Sequence, residues 1–266
     1  MARLTSGENR KLFMNESTLQ HHVDELYLQG YTALEGLYSP EECERMREIM
    51  DGFWRSQGSP SLTDDEGGFT IHPMMPKVPE MAPFLDRPEP IEVMRRTLRD
   101  EVRLVHLGAR VSGPLSAQRI SWHNHYASNG DGPPNAWDKE SLPQRDRIER
   151  VLGGIYVDGT MPESGAFITL PREFRDPLGK PIGGLHDEWP GEVRVAMPPG
   201  SFAIFDTALW HAAMRGTGSA KRRLWGAHFQ GWNDPRPHPE DNAVDAPEIE
   251  RYKQERPRLR ALIQRD

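Results

Sequence analysis

The sequence predicts a mainly β protein with flanking helices, in which a jelly-roll core follows a helical N-terminal third. From residue 102 onward, short apolar runs rich in β-branched and aromatic residues recur along the chain. Turns of proline and glycine, such as Pro198–Gly200, separate these runs, and no regular helical pattern lies between them. We expect a single domain over residues 1–266, with a helical region at about 15–100, the core at about 101–232 and a polar tail at 233–266.

The helical region is expected to begin with one amphipathic helix and one short strand. Leu19, Val23 and Leu26 recur at helical spacing, and the pattern stops at Gly30. The apolar residues that follow directly predict a strand over 31–34.

A second helix is predicted from Ser39-Pro40, where an N-cap residue precedes a proline at the first helical position. Cys43 lies on its apolar stripe, so we expect this cysteine to pack in the core rather than to act as a nucleophile. Residues 56–90 then carry many prolines and glycines with little periodicity. They predict a loop that either covers a pocket or wraps the surface, before a third helix over 90–99.

The core is predicted as a series of short strands. The expected strands cover 102–109, 118–126, 151–157, 165–170, 192–197, 201–205 and 223–230. Strands this short, without helices between them, are typical of a sandwich or barrel. The tail is expected to end in a short charged helix at about 247–264.

Composition excludes several classes of function. The 33 lysines and arginines against 40 acidic residues give a net charge of −7, which argues against nucleic-acid binding. The single cysteine excludes a disulfide framework and a cysteine-held zinc or iron–sulfur site, so any metal must have nitrogen and oxygen ligands. No long apolar run and no signal peptide are evident, and we expect a cytoplasmic protein without a membrane partner.

Three histidines are the candidate metal ligands. His123 and His125 lie two residues apart in a predicted strand, so their side chains are expected on one face. A turn and an apolar strand lead later to His211. Two histidines on one strand and a third from another can form a facial metal site with open positions. A hydrogen-bonded histidine pair is the alternative interpretation of this spacing.

Several segments in order resemble the phytanoyl-CoA dioxygenase family. They are Gly154–Asp158 with Glu163–Ala166, then Pro199–His211, then Arg222, and the likeness spans about 20–232. The resemblance implies a double-stranded β-helix core that binds Fe(II), uses 2-oxoglutarate as cosubstrate and reacts with O2. It also implies that His123, His125 and His211 are the metal-binding and catalytic residues.

The same resemblance places an arginine for the far carboxylate of 2-oxoglutarate at Arg222. A guanidinium suits this role because its charge is permanent and its hydrogen bonds are bidentate. Arg223 is the alternative if the register slips by one residue. Gln118 and Asn124 are expected either to line the cofactor pocket or to be ordinary polar strand residues.

His228 shares a predicted strand face with Arg222. It is expected either to contact a ligand or to line the barrel. The sequence does not choose between these two positions.

The chain departs from the family pattern at the metal site. The usual first motif is His-x-Asp, and here the Asp position is His125. A Ser or Thr often follows the distal histidine by two residues, and here that residue is Ala213. Asp131 or Asp138, in the loop after the first motif, is an alternative source of a carboxylate ligand.

The resemblance therefore implies a dioxygenase that oxidises a small molecule or natural product, by C–H hydroxylation or a related oxidation. Residues 56–90 and 130–142 would be the loops that shape its cavity. The alternative is a jelly-roll protein of the same family that no longer uses 2-oxoglutarate, either a binding protein or an enzyme with a three-histidine metal site and different chemistry.

Overall fold

The computed structural model describes residues 14–56, 69–72, 74–112, 120–125, 147–176, 181–214, 221–234 and 247–265. The helices are α1 (Glu16–Gln29), α2 (Pro40–Ser56) and α3 (Pro88–Leu98), with a 3-10 helix at Pro79–Leu85 and C-terminal helices at Pro247–Glu255 and Pro257–Ile263. The strands are β1 (Tyr31–Leu34), β2 (Phe69–Ile71), β3 (Val102–Ser112), β4 (Ile120–His123), β5 (Arg150–Tyr156), β6 (Phe167–Thr169), β7 (Val193–Val195), β8 (Ser201–Asp206), β9 (His211–Ala213) and β10 (Arg222–Gly231).

Side-chain caps define the first two helices. The Asn15 side chain accepts a hydrogen bond from the Thr18 amide at the start of α1. Gly30 ends the helix with a positive φ of 84°, a conformation that glycine adopts without strain. At the start of α2, the Ser39 hydroxyl accepts from the Glu42 amide while the Glu42 carboxylate accepts from the Ser39 amide. This reciprocal pair is a capping box.

The described strands form two antiparallel sheets. One is six-stranded in the order β1-β8-β5-β10-β3-β2, and the other is four-stranded in the order β4-β9-β6-β7. One face of the larger sheet packs on the helices, because Trp225 of β10 shares a hydrophobic cluster with Leu26 of α1 and Met46 of α2. The opposite face meets the smaller sheet, since Leu152 and Phe205 cluster with Phe167 of β6. The space between the sheets is called the lumen below.

The fold differs from the sequence prediction in three places. The segment 56–90 is not one loop: it contains β2 and the 3-10 helix, while residues 57–68 lie outside the described part. A short strand, β9, begins at His211, where no strand was predicted. The C-terminal helix is two helices, since Pro257 lacks the amide hydrogen that a continuous helix needs and instead starts a new one.

A cluster of ion pairs connects α2 with β10. Arg223 donates to Asp51 of α2 at 2.8 Å and to Asp158 at 2.9 Å. Asp158 also accepts from the Arg223 amide and from Arg47 Nε. The side chains of Arg223 and Asp158 are only 10% and 12% exposed, so each charge depends on the other for compensation.

We predict that Asp158→Ala lowers the free energy of unfolding by about 2–3 kcal/mol, because it leaves Arg223 nearly buried with one carboxylate fewer. Chemical denaturation measures this loss. The matched control is Glu44→Ala, which removes another partner of Arg47 but a carboxylate that is 63% exposed. It should change stability by less than about 1 kcal/mol, and equal losses for the two variants would contradict the prediction.

Candidate metal centre

The three predicted ligands converge in the lumen. His123 is the last residue of β4 and His211 the first of β9, and the two are direct cross-strand partners. His125 lies beyond the end of β4, and its amide donates to the Thr207 carbonyl at 2.8 Å. One ligand atom from each imidazole lies within 4.8 Å of the others. The expectation that His125 lies on the same strand as His123 is wrong, yet the two rings come together.

Backbone carbonyls orient two of the rings. Nδ1 of His123 lies 2.7 Å from the Ser121 carbonyl, and Nδ1 of His211 lies 3.0 Å from the Leu209 carbonyl. A carbonyl oxygen only accepts, so each Nδ1 carries the hydrogen and each Nε2 keeps its lone pair. A ligating histidine commonly has such a partner, which fixes both its tautomer and its orientation.

The surroundings keep the cluster neutral. Burial is the main cause that lowers the pKa of His125 and His211 well below the ordinary histidine value, and the neighbouring imidazoles add to it. Burial also lowers the pKa of His123. Phe167 and Phe205 pack against the His211 ring, with centroids 5.9 and 4.8 Å away. The histidines are therefore unprotonated near neutral pH, which is the form that binds a metal.

Arg222 lies on the lumen side of β10. Its neighbour Arg223 points to α2 on the helical side, and alternate strand residues face opposite ways. Arg222 is 4% exposed, and its Nη1 donates to the Gly165 carbonyl at 3.1 Å. No carboxylate in the described ranges forms an ion pair with it. Burial lowers the pKa of Arg222, but a guanidinium remains charged in a protein, so among the described residues of the lumen this buried cation has no carboxylate partner.

The sequence also matches the model of a known protein family. Residues 26–224 match the family described as Phytanoyl-CoA dioxygenase (PhyH). The chain belongs to this family. A comparison with the curated proteins gives no significant match. No helix within the described ranges is long and apolar enough to cross a membrane.

Solved structures share the fold at low sequence identity. HygX from Streptomyces hygroscopicus with nickel and 2-oxoglutarate bound has a TM-score of 0.64 and 13% identity, covering 80% of this chain and 87% of that chain. EctD from S. alaskensis with 2-oxoglutarate and 5-hydroxyectoine has a TM-score of 0.61 and 16% identity, covering 87% and 85%. SnoK, a non-heme alpha ketoglutarate dependent carbocyclase from nogalamycin biosynthesis, has a TM-score of 0.60 and 17% identity, covering 85% and 86%. These likenesses confirm the predicted jelly roll.

This member of the phytanoyl-CoA dioxygenase family carries an imidazole where the motif aspartate is expected. Within the described ranges, no Asp or Glu joins the group formed by His123, His125 and His211. The alternative carboxylates, Asp131 and Asp138, lie outside the described residues, as does Gln118. Asn124 is buried beside the cluster.

Three further histidines continue the cluster. The sequence indicated His228 as a candidate but did not single out His106 or His72. The His228 ring lies 4.8 Å from His125, the His106 ring 5.3 Å from His228, and the His72 ring 4.6 Å from His106. His228 and His106 are cross-strand partners. A row of imidazoles thus runs from the metal ligands to the exposed His72. The pairing of β10 and of β2 with β3 makes these residues neighbours.

Small residues leave space beside this row. Gly108, Gly226, Gly154 and Ala203 are successive cross-strand partners on the lumen face of the larger sheet. A Cβ atom at Gly226 would meet nothing closer than 3.8 Å, and one at Gly108 nothing closer than 3.6 Å. Packing therefore does not require glycine at these two positions, whereas a Cβ atom at Gly154 would lie only 3.0 Å from Leu224 Cδ1.

We predict that His211→Ala, which removes a ligand, lowers the affinity for Ni(II) by more than about 100-fold. Losing only a residue that hydrogen-bonds to a ligand typically costs roughly 10–100-fold. Isothermal titration with Ni(II) measures affinity and stoichiometry. The control is His228→Gln, which alters the ring next to His125 but removes no ligand, and it should keep one bound ion. Loss of the ion from both variants would show that the ligand set is wrong.

Proposed function

We propose that the protein is a non-haem Fe(II), 2-oxoglutarate-dependent dioxygenase that oxidises a small molecule or natural product, by C–H hydroxylation or a related oxidation. The observation that carries this proposal is the presence, in one lumen, of a three-imidazole cluster and the buried Arg222, which forms no ion pair with the described part of the chain. Family membership and the likeness to HygX and EctD, whose structures contain 2-oxoglutarate, support it.

The residues of the lumen fit both an iron ion and 2-oxoglutarate. Imidazole is an acceptable ligand for iron, and His123, His125 and His211 would hold the ion. Three protein ligands leave positions for other ligands, and the planar fork of Arg222 suits a carboxylate. When bound, iron and 2-oxoglutarate supply the activation of O2 and the oxidation of the substrate.

The chain itself provides orientation and a dry cavity. The carbonyls of Ser121 and Leu209 hold two imidazoles in place. Phe167 and Phe205 exclude water around His211, which strengthens electrostatic interactions in the lumen.

The second candidate function is a metal protein of the same fold that does not use 2-oxoglutarate. Two observations favour it: His125 supplies a neutral ligand in place of a carboxylate, and Ala213 supplies no hydroxyl beside the distal histidine. The two candidates differ in whether the metal-loaded protein binds 2-oxoglutarate and releases succinate.

We expect Arg222→Gln to weaken 2-oxoglutarate binding by roughly 100-fold, because it removes two charge-assisted hydrogen bonds. Calorimetric titration of the Ni(II)-loaded protein measures the change, and Ni(II) binding itself should persist. Arg222→Lys, which keeps the charge but loses the fork, should fall between wild type and Arg222→Gln. Wild-type protein that binds no 2-oxoglutarate at millimolar concentration would favour the second candidate.

A further prediction concerns the charge at His125. Three neutral ligands leave the full charge of the ion in the lumen, so dianionic 2-oxoglutarate should raise Ni(II) affinity strongly in wild type. His125→Asp supplies one negative charge, and it should raise Ni(II) affinity in the absence of 2-oxoglutarate at least tenfold and reduce the enhancement that 2-oxoglutarate produces. Titrating Ni(II) with and without 2-oxoglutarate measures this coupling.

His125→Asn is the matched control, because it offers an oxygen ligand of the same size without the charge. It should leave the coupling between Ni(II) and 2-oxoglutarate as large as in wild type. If Asp and Asn behave alike, the size of the ligand rather than its charge decides affinity, and the charge argument is wrong.

A further inference from the structure

A second cavity, of about 790 Å³, lies on the helical side of the larger sheet. Its size is within the range of small-molecule sites. Leu34 in its wall belongs to the cluster that packs against the helices, whereas the metal ligand His211 packs against Phe167 and Phe205 of the lumen. The sheet therefore separates this cavity from the metal centre. Its wall consists of Met14, Thr18, His22, Leu34, Glu35, Gly36, Leu37, Ser39, Glu42, Arg87 and Glu89.

The one arginine in the wall is already engaged. Arg87 forms an ion pair with Glu42, and its guanidinium lies over the Tyr38 ring at 4.8 Å. Glu42 also caps α2 through the Ser39 amide. Arg87 and Glu42 therefore compensate each other and serve the local fold.

Two other carboxylates in the wall form no ion pair with the described residues. Glu89 is 5% exposed, and within the described ranges it forms no hydrogen bond and no ion pair. It lies in the first turn of α3, where the helix dipole favours a negative charge. Glu35 is exposed and likewise has no cationic partner in the described part of the chain.

The remaining titratable group of the wall does not compensate them. His22 Nδ1 lies 2.7 Å from the Thr32 hydroxyl, and burial is the main cause that lowers the pKa of His22. The cavity therefore carries an excess of negative charge. The carboxylates of the cavity do not form a group close enough to hold a metal ion. Among the described residues, such a group is found at His123, His125 and His211.

We propose that this cavity is a second binding site, for a small organic cation that carries ammonium or guanidinium groups. Glu89 is the buried carboxylate that receives the cationic group. Glu35, at the exposed side of the cavity, receives a second one. The aliphatic chain of the ligand lies against Leu34 and Leu37. The site is independent of the metal and of 2-oxoglutarate.

Calorimetric titration of the full-length protein with putrescine and with agmatine tests the proposal, and 1,4-butanediol is the neutral analogue of putrescine. We expect saturable binding of at least one of the two dications, weaker in high salt, and no binding of the diol. Glu89→Gln should weaken that binding at least tenfold, whereas Glu41→Gln, an exposed residue in the first turn of α2, should leave it unchanged.

Thermal unfolding distinguishes binding from a purely structural role. If Glu89 serves a ligand, Glu89→Gln should unfold at the same or a higher temperature than wild type without cation, because it removes an uncompensated buried charge. Putrescine should then stabilise wild type but not the variant. A lower unfolding temperature for Glu89→Gln together with unchanged cation binding, or no binding of either dication at millimolar concentration, would overturn the proposal. Retained Ni(II) binding by the variant confirms that it is folded.

Discussion

Strand β10 organises the molecule because its successive side chains face two different environments. Arg223 and Trp225 face the helices, where one forms ion pairs with Asp51 and Asp158 and the other joins the main core. Arg222 and His228 face the lumen, where Arg222 donates to the Gly165 carbonyl and the His228 ring lies beside His125. The ion pairs of Arg223 hold the strand in this register. A slip of one residue would exchange the two environments along the whole strand.

The lumen combines neutral ligands with a buried positive charge. An iron ion held by three imidazoles would keep its charge, and Arg222 of β10 would add another on the wall of the same lumen. Such a lumen favours a dianion over a neutral cosubstrate, because only an anion removes the penalty of burying these charges together. The replacement of the motif aspartate by His125 therefore does not oppose the use of 2-oxoglutarate. Under the proposed function it would make the binding of metal and dianion more interdependent.

Much of this arrangement could be predicted from the sequence because it depends on local periodicity. The spacing of apolar runs predicted most of the strands, and the resemblance to the family pointed to His123, His211 and Arg222. The position of His72 and His106 near the cluster could not be predicted. It depends on the pairing of β2, β3 and β10, which no local pattern encodes.

The position of His125 shows another limit of reasoning from periodicity. Alternation within a strand predicted that it shares a face with His123, but the described strand ends at His123. What positions His125 is the hydrogen bond from its amide to the carbonyl of Thr207, a contact between segments far apart in sequence.

The two faces of the larger sheet carry opposite charge excesses. On the lumen side, Arg222 lacks a described counter-ion, and on the helical side Glu89 lacks one. A sheet that buries charges of opposite sign on its two faces cannot compensate them through the backbone between them. Within the described ranges, neither charge has an ion-pair partner, and a buried charge without one carries an electrostatic penalty. Since the charges differ in sign, the two proposed sites would take different ligands, a dicarboxylate in the lumen and an organic cation beside the helices. With the sheet between them, neither ligand would compete for the site of the other.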